Sequence, residues 1–126
     1  EGAKKAVRLS IGGSFHSPFM KEAQEELSMI IDKTKFNQPS CPIYQCVDAK
    51  PHTDIETIKQ NLKVHITHPV LWTQMVNSMN KDGVNSFYEA GTDDTLQKIV
   101  KRMVPEGNVT SLWNVNTYNK LLNINN

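Results

Sequence analysis

Cysteine is scarce in this chain, with two in 126 residues, Cys41 and Cys46. A pair five residues apart does not build a disulfide framework, and its spacing is neither a zinc ribbon nor a redox C-x-x-C. Two reduced thiols in or near a strand are expected. Long apolar runs are missing: nothing approaches the roughly 20 residues of a membrane span. The stretch Glu1-Gly2-Ala3-Lys4-Lys5 lacks the apolar segment of a signal peptide. Charge of one sign is missing too. Fourteen Lys and Arg against thirteen Asp and Glu leave a formal +1, which argues against nucleic-acid or membrane partners. There are no internal repeats and no initiator Met, and the latter suggests a processed or excised piece of something longer. No G-x-S-x-G nucleophile elbow occurs, and Gly12-Gly13 is not followed by a phosphate-loop pattern.

Hydrophobic residues make up 38% and charged residues 21%, ordinary values that suit one domain with one modest core. Asn108-Val109-Thr110 is a formal glycosylation sequon, relevant only in a secretory compartment. The last stretch is crowded with asparagine, and fraying is expected past Leu122.

Strand and helix signals alternate. Residues 7–11 form a β-prone run ending at Gly12-Gly13. Over residues 18–33, Phe19, Ala23, Leu27 and Ile31 recur every four positions, with Met20 and Ile30 widening the stripe, as in an amphipathic helix. Residues 42–47 read as a strand. Thr53-Asp54-Ile55-Glu56 reads as a capping box opening a second helix. Pro69 starts a third helix, with Leu71, Trp72, Met75, Val76 and Met79 inward and Gly83 closing it. Residues 84–90 read as a strand. Thr92 is the expected cap of a fourth helix carrying Leu96, Ile99, Val100 and Met103, ended by Pro105. A short strand at 109–113 and a weak helix capped by Asn116 complete the pattern. The order predicts an α/β layer structure with a mainly parallel sheet flanked by helices. Three or four short strands are few for a sheet covered on both faces, so the piece reads as part of a larger sheet.

The run Ser14-Phe15-His16-Ser17-Pro18-Phe19-Met20 carries the first candidate for chemistry. Ser17 suits an N-cap and Pro18 the first helical position, which places His16 just outside a helix N-terminus. The positive end of a helix dipole favours a neutral imidazole by roughly 0.3–1 kcal/mol. A neutral, fixed imidazole is what a general base requires. Its nucleophile is not evident: Ser14 and Ser17 are too local, and Ser17 is better explained as a cap. His65 and His68 form H-x-x-H, but no third ligand of matching spacing follows, and no metal site is expected. Asp48 reads as a turn residue before Pro51 or as a catalytic acid. Asp93 and Asp94 suit the first turn of a helix through its dipole alone.

Five stretches in order resemble one family. Gly2-Ala3-Lys4-Lys5-Ala6 looks like G-A-K-R-A, Ser14 to Met20 like F-H-S-P-L/F-M, and Val47-Asp48-Ala49-Lys50-Pro51 like N-V-D-A-x-P. His68-Pro69-Val70-Leu71-Trp72 looks like Y/S-x-P-V-x-W, and Tyr88-Glu89-Ala90-Gly91 like E-V/I/A-G-P-G. The chain thus resembles the C-terminal part, about two-fifths, of malonyl-CoA:acyl carrier protein transacylases and related polyketide synthase acyltransferase domains. The resemblance implies an α/β-hydrolase-like acyltransferase domain. Residues 1–11 would lie in or beside the last strand of a small ferredoxin-like subdomain, and 12–126 in the large subdomain.

It also implies ping-pong transfer of malonyl from coenzyme A to acyl carrier protein through an acyl-serine, in fatty acid biosynthesis. His16 would be the catalytic base, and the backbone carbonyl of His65 would orient it. Phe15 would disfavour an α-methyl branch, and Lys4 and Lys5 would face the carrier protein. The serine, an arginine clamp and an oxyanion glutamine lie upstream in relatives, so this piece alone is expected to be inactive. No cofactor is implied beyond the substrates, malonyl-CoA and the phosphopantetheinylated carrier protein. The full-length protein would be a monomer in bacterial cytoplasm or in an organelle, plastid or mitochondrion. The alternatives are a non-catalytic α/β module that only docks acyl carrier protein, or a polyketide synthase acyltransferase domain. Two positions depart from the family pattern: Cys46 replaces an Asn before Val47, and Thr92-Asp93 replaces Pro-Gly after Gly91.

Overall fold

Proline has no N–H to donate, so Pro18 is tolerated only where a helix begins. In the computed structural model, which describes residues 2, 6, 8 and 11–122, Pro18 opens a 3-10 turn, Pro18–Met20, that leads into α1 (Lys21–Lys33). The strand expected at 7–11 falls mostly outside the described residues, and Lys4, Lys5 and the tail past Leu122 wholly so. The apolar stripe of α1 is narrower than its periodicity predicts. Ile31 is buried and Ala23 and Leu27 are half-buried, but Ile30 is 63% and Phe19 87% exposed. Phe19 belongs to the tighter 3-10 turn, where three residues per turn break the phase of an α-helical stripe.

A hairpin follows: β1 (Ile43–Gln45) pairs antiparallel with β2 (Lys50–His52), Tyr44 opposite Pro51. Its turn closes with the Ala49 N–H on the Gln45 carbonyl at 2.9 Å, and Ala49 takes φ 59°. Helix α2 (Ile55–His65) starts one residue later than the expected box. Asp54, not Thr53, is the N-cap, and its carboxylate accepts the Thr57 N–H at 2.8 Å. A carboxylate there both accepts that orphan N–H and meets the positive helix end. Glu56 points to solvent instead of back to the cap. Helices α1 and α2 pack together, and Lys63 reaches Asp32 across them.

Helix α3 (Trp72–Lys81) begins three residues after Pro69 and buries Met75 and Val76. It ends as Gly83 predicts. Gly83 sits at φ +89°, its N–H donating to the Asn80 carbonyl and the Val84 N–H to the Met79 carbonyl. This is the paired-bond ending that only a left-handed residue allows.

Next comes a β–α–β unit: β3 (Ser86–Glu89), α4 (Thr95–Met103) and β4 (Asn108–Ser111). The two strands pair in parallel, Phe87 beside Val109 and Glu89 beside Ser111. Among the described residues this is the parallel pairing, and the hairpin is a separate antiparallel sheet. The core gathers Val76, Val100 and Val104, with Trp72, Phe87, Met103 and Val109 against them. Leu96 and Ile99, expected inward, are 40% and 38% exposed, while Val104, just past the helix, is buried. Helix α5 (Val115–Leu121) is capped by Asn114, not Asn116. Asn114 Oδ1 accepts the Thr117 N–H at 3.0 Å, and Thr117 Oγ1 accepts the Asn114 N–H in return.

The start of α4 is the largest difference in capping. Thr92 is not its cap. The Glu89 carboxylate, at the end of β3, accepts the N–H groups of Leu96 at 3.0 Å and Gln97 at 2.8 Å. Gln97 in turn ties α4 to β4 through the Val109 carbonyl and the Ser111 N–H. In the complete protein, Glu89→Ala should lower the unfolding free energy by about 1–2 kcal/mol, the scale of a lost cap. Urea titration should show a lower midpoint at constant slope, with Thr92→Ala nearly neutral. An unchanged midpoint in Glu89→Ala would remove the cap.

Candidate functional site

The end of a helix leaves carbonyls with no partner inside the helix. At the C-terminus of α2 these carbonyls turn toward residue 16. The His16 N–H donates to the Ile66 carbonyl at 2.9 Å, and His16 Nδ1 lies 3.0 Å from the His65 carbonyl. A carbonyl only accepts, so Nδ1 carries a proton, and in the neutral ring Nε2 is the basic nitrogen. His16 adopts φ 60°, a left-handed backbone that costs a residue with a Cβ about 1–2 kcal/mol. The two bonds to consecutive carbonyls hold it there.

The position outside a helix start stands, since the turn after His16 runs directly into α1. The helical turn after His16 is a three-residue 3-10 turn, and the groups touching the imidazole are carbonyls at the negative end of α2. Ser17 occupies the N-cap position, but its hydroxyl donates back to the Ser14 carbonyl at 2.6 Å instead of capping the turn. Neither serine bonds to the imidazole among the described residues.

Phe15 is 58% exposed beside His16. Its ring lies against Gly13, where a Cβ would come within 2.8 Å of the ring edge. A side chain at position 13 would push this half-exposed ring aside. His65 contributes its side chain as well as its carbonyl. The two imidazole rings stand 4.9 Å apart, tilted by 49°. His65 Nε2 is buried without a partner among the described residues. Burial, with the neighbouring His16 adding to it, holds the His65 imidazole below the ordinary histidine range.

The other candidates make local contacts. His68 Nδ1 sits 2.8 Å from the Val64 carbonyl. Among the described residues, no three His, Cys, Asp or Glu side chains gather where a metal could be held. Asp48 lies in the hairpin turn, taking the Lys50 N–H at 3.2 Å and approaching His52 Nε2 at 2.7 Å and Asn61 Nδ2 at 3.3 Å. Burial raises its carboxyl pKa, but those partners outweigh it and leave the group lowered. Cys41 and Cys46 are free. Burial pushes the Cys46 thiol up, and its sulfur lies 3.4 Å from Met75 Sδ. The Ile66 carbonyl was not legible as a partner of His16. The one signal was the H-x-x-H before Pro69, which marks a helix end without saying where its carbonyls point.

No family model matches the chain. Among curated proteins, it is 35% identical over 103 residues to the malonyl CoA-acyl carrier protein transacylase of Escherichia coli K12, spanning 82% of this chain and 33% of that protein. Among solved structures, an acyl carrier protein S-malonyltransferase of Vibrio cholerae superposes with a TM-score of 0.86 at 31% identity. That match covers 95% of this chain and 39% of the other. A malonyl-transacylase solved in complex with a type II polyketide acyl carrier protein matches with a TM-score of 0.88 at 27% identity, over 98% of this chain and 40% of that one. The chain spans between a third and two-fifths of the length of these relatives.

The state of His65 has a measurable consequence. Above the ordinary histidine value near 6.5, neither the folded nor the unfolded chain protonates this ring, and it adds no pH dependence. As pH falls below that value the unfolded chain takes up the proton first, so stability falls until the folded-state value is passed. His65→Gln removes the group and keeps the backbone carbonyl. Between pH 7 and 5 the complete variant should lose less unfolding free energy than the parent in urea titrations. Identical pH slopes would contradict the depressed His65.

Proposed function

Because this chain corresponds in sequence and fold to the C-terminal part of a malonyl CoA-acyl carrier protein transacylase, we propose that the protein it forms part of moves a malonyl group from coenzyme A to acyl carrier protein in fatty acid biosynthesis. In this reading His16 is the base. The observation that carries it is the bond from Nδ1 to the His65 carbonyl, which fixes one tautomer and leaves Nε2 to take a proton.

The cycle balances around one serine, supplied by the rest of the protein. Nε2 of His16 accepts the serine hydroxyl proton as the serine oxygen bonds to the malonyl thioester carbon. The tetrahedral adduct collapses, the C–S bond breaks, and the imidazolium returns its proton to the coenzyme A thiolate. The phosphopantetheine thiol of the carrier protein then gives its proton to Nε2 and attacks the malonyl-serine ester. Serine leaves and recovers the proton. The imidazolium forms in both halves, each time against the C-terminal carbonyls of α2. The His65 carbonyl is the orienting group, as a carboxylate is in other base-assisted nucleophile systems. Phe15, adjacent to the base and half in solvent, is the wall that an α-methyl branch would meet. Lys4 and Lys5, outside the described residues, would add positive charge toward an acidic carrier protein.

His16→Ala in the complete protein should slow serine acylation by malonyl-CoA at least about a thousand-fold, within the range of losing a positioned base. Circular dichroism should stay unchanged. Near-normal acylation would favour a module that only docks acyl carrier protein. For Phe15→Ala, the preference for malonyl over methylmalonyl should narrow by roughly ten-fold, the scale of one methylene contact. Competition between the two coenzyme A esters measures it, and an unaltered ratio would clear Phe15 of that role.

A further inference from the structure

A base held by the end of a helix is only as well placed as that helix end. Two elements must stay in register for His16 to meet the His65 and Ile66 carbonyls: the loop that runs into α1, and the turn that leaves α2. Apolar packing between α1 and α2 resists separation but tolerates sliding along the axes. A hydrogen bond is directional, and loses most of its value when displaced by an ångström.

One polar link joins the two elements next to the site. Thr67 follows directly after the His65 and Ile66 carbonyls, and Gln24 lies on α1, eight residues after His16. The Thr67 hydroxyl lies 3.0 Å from the Gln24 amide oxygen, and both residues are half-buried. The hydroxyl has one proton to give: given to Gln24, it leaves the Val64 carbonyl, also 3.0 Å away, to the Thr67 N–H at 3.1 Å and to His68 Nδ1 at 2.8 Å. Thr67 therefore does two things. Through its N–H it folds the chain back on Val64, and the next two carbonyls meet His16. It also ties that turn to the helix on which the His16 loop is anchored.

We propose that Gln24 and Thr67 are positioning residues for His16, a bridge that holds the α2 C-terminal carbonyls in register with the imidazole. The proposal rests on the reading of His16 as the base. Neither side chain touches the reacting atoms. Their effect passes through the His65 and Ile66 carbonyls. A loosened bridge leaves the substrate site intact but lets the ring rotate and sample the other tautomer. The cost should fall on the chemical step, where sub-ångström placement counts, and not on binding of the coenzyme A ester.

The test uses the complete protein with Gln24→Leu and Thr67→Val, which keep size and remove the bond. In rapid-quench experiments with malonyl-CoA, the acylation rate constant should fall roughly ten-fold, well within what a small misplacement costs. The malonyl-CoA concentration at half-maximal rate should be unchanged. Gln24→Glu, which retains an acceptor for the Thr67 hydroxyl, should restore the rate. The double variant should be no slower than the slower single, as for one shared interaction. Glu89→Ala, which weakens the fold away from this bridge, serves as the stability control and should leave acylation intact. Nitrogen-15 shifts of the His16 ring should report the single Nδ1–H tautomer in the parent and a mixture in Gln24→Leu.

Parent-like rates and a single tautomer in both single variants would overturn the bridge. So would a double variant whose loss is the product of the two singles. If His16→Ala acylates normally, the base reading fails, and the tautomer signal alone decides the bridge. If His16→Ala is silent while Gln24→Leu is normal in rate and tautomer, only the bridge fails.

Discussion

Two hydrogen bonds from one histidine to the C-terminal end of a helix organise this molecule. His16 gives its backbone N–H to Ile66 and its Nδ1 proton to His65, on consecutive carbonyls of α2. A helix C-terminus has unpaired acceptors in any case. Here they are used to hold an imidazole whose own backbone is in an unfavourable left-handed conformation. The cost of that conformation, about 1–2 kcal/mol, is met by bonds that also settle its tautomer. The helix end is thus both a structural terminus and the support of the candidate base.

The rest of the first half of the chain serves to keep that terminus in place. The hairpin of β1 and β2 lies against α2, and Gln45 reaches the Ile58 carbonyl and Asn61 on it. The Leu71 N–H donates to the Cys46 carbonyl at 2.8 Å, which pins the chain leaving α2 to the hairpin. Asp48 holds His52 and Asn61 together beneath the turn. In the second half, the Glu89 carboxylate locks the end of β3 onto the start of α4, and Gln97 closes the unit on β4. Glu89 and Gln97 spend their hydrogen-bonding capacity on backbone groups at the start of α4 and along β4.

Much of the fold was legible in the sequence. The period of Ala23, Leu27 and Ile31 gives α1, the Met75-Val76 pair gives the buried face of α3, and Gly83 gives its ending. The caps were less legible. Thr53, Thr92 and Asn116 all carry the right chemistry, yet Asp54, Glu89 and Asn114 do the capping. Several residues near each helix start could accept the same N–H, and the choice depends on where the chain enters. Glu89 is the extreme case, because its strand must first pair with β4 before its carboxylate faces α4. The inward face of α4 was also misjudged. Leu96 and Ile99 fit the period but stay 40% and 38% exposed, and Val104 is buried instead.

The candidate site divides the same way. The sequence by itself determined that residue 16 is a histidine between a Gly-Gly turn and a proline-started helix, that an aromatic ring precedes it, and that a helix ends just before Pro69. These are local matters, decided by backbone sterics and by which residues tolerate a turn. That His16 meets the end of α2, forty-nine residues away, came only through the family resemblance, which named the His65 carbonyl; the tertiary structure puts the two 3.0 Å apart and adds Ile66. It decided that the imidazole faces carbonyls and that His65 brings its ring as well as its backbone. The reason is that unpaired helix carbonyls are the same in every sequence. Which donor they meet depends on how two helices pack, and no local pattern encodes that.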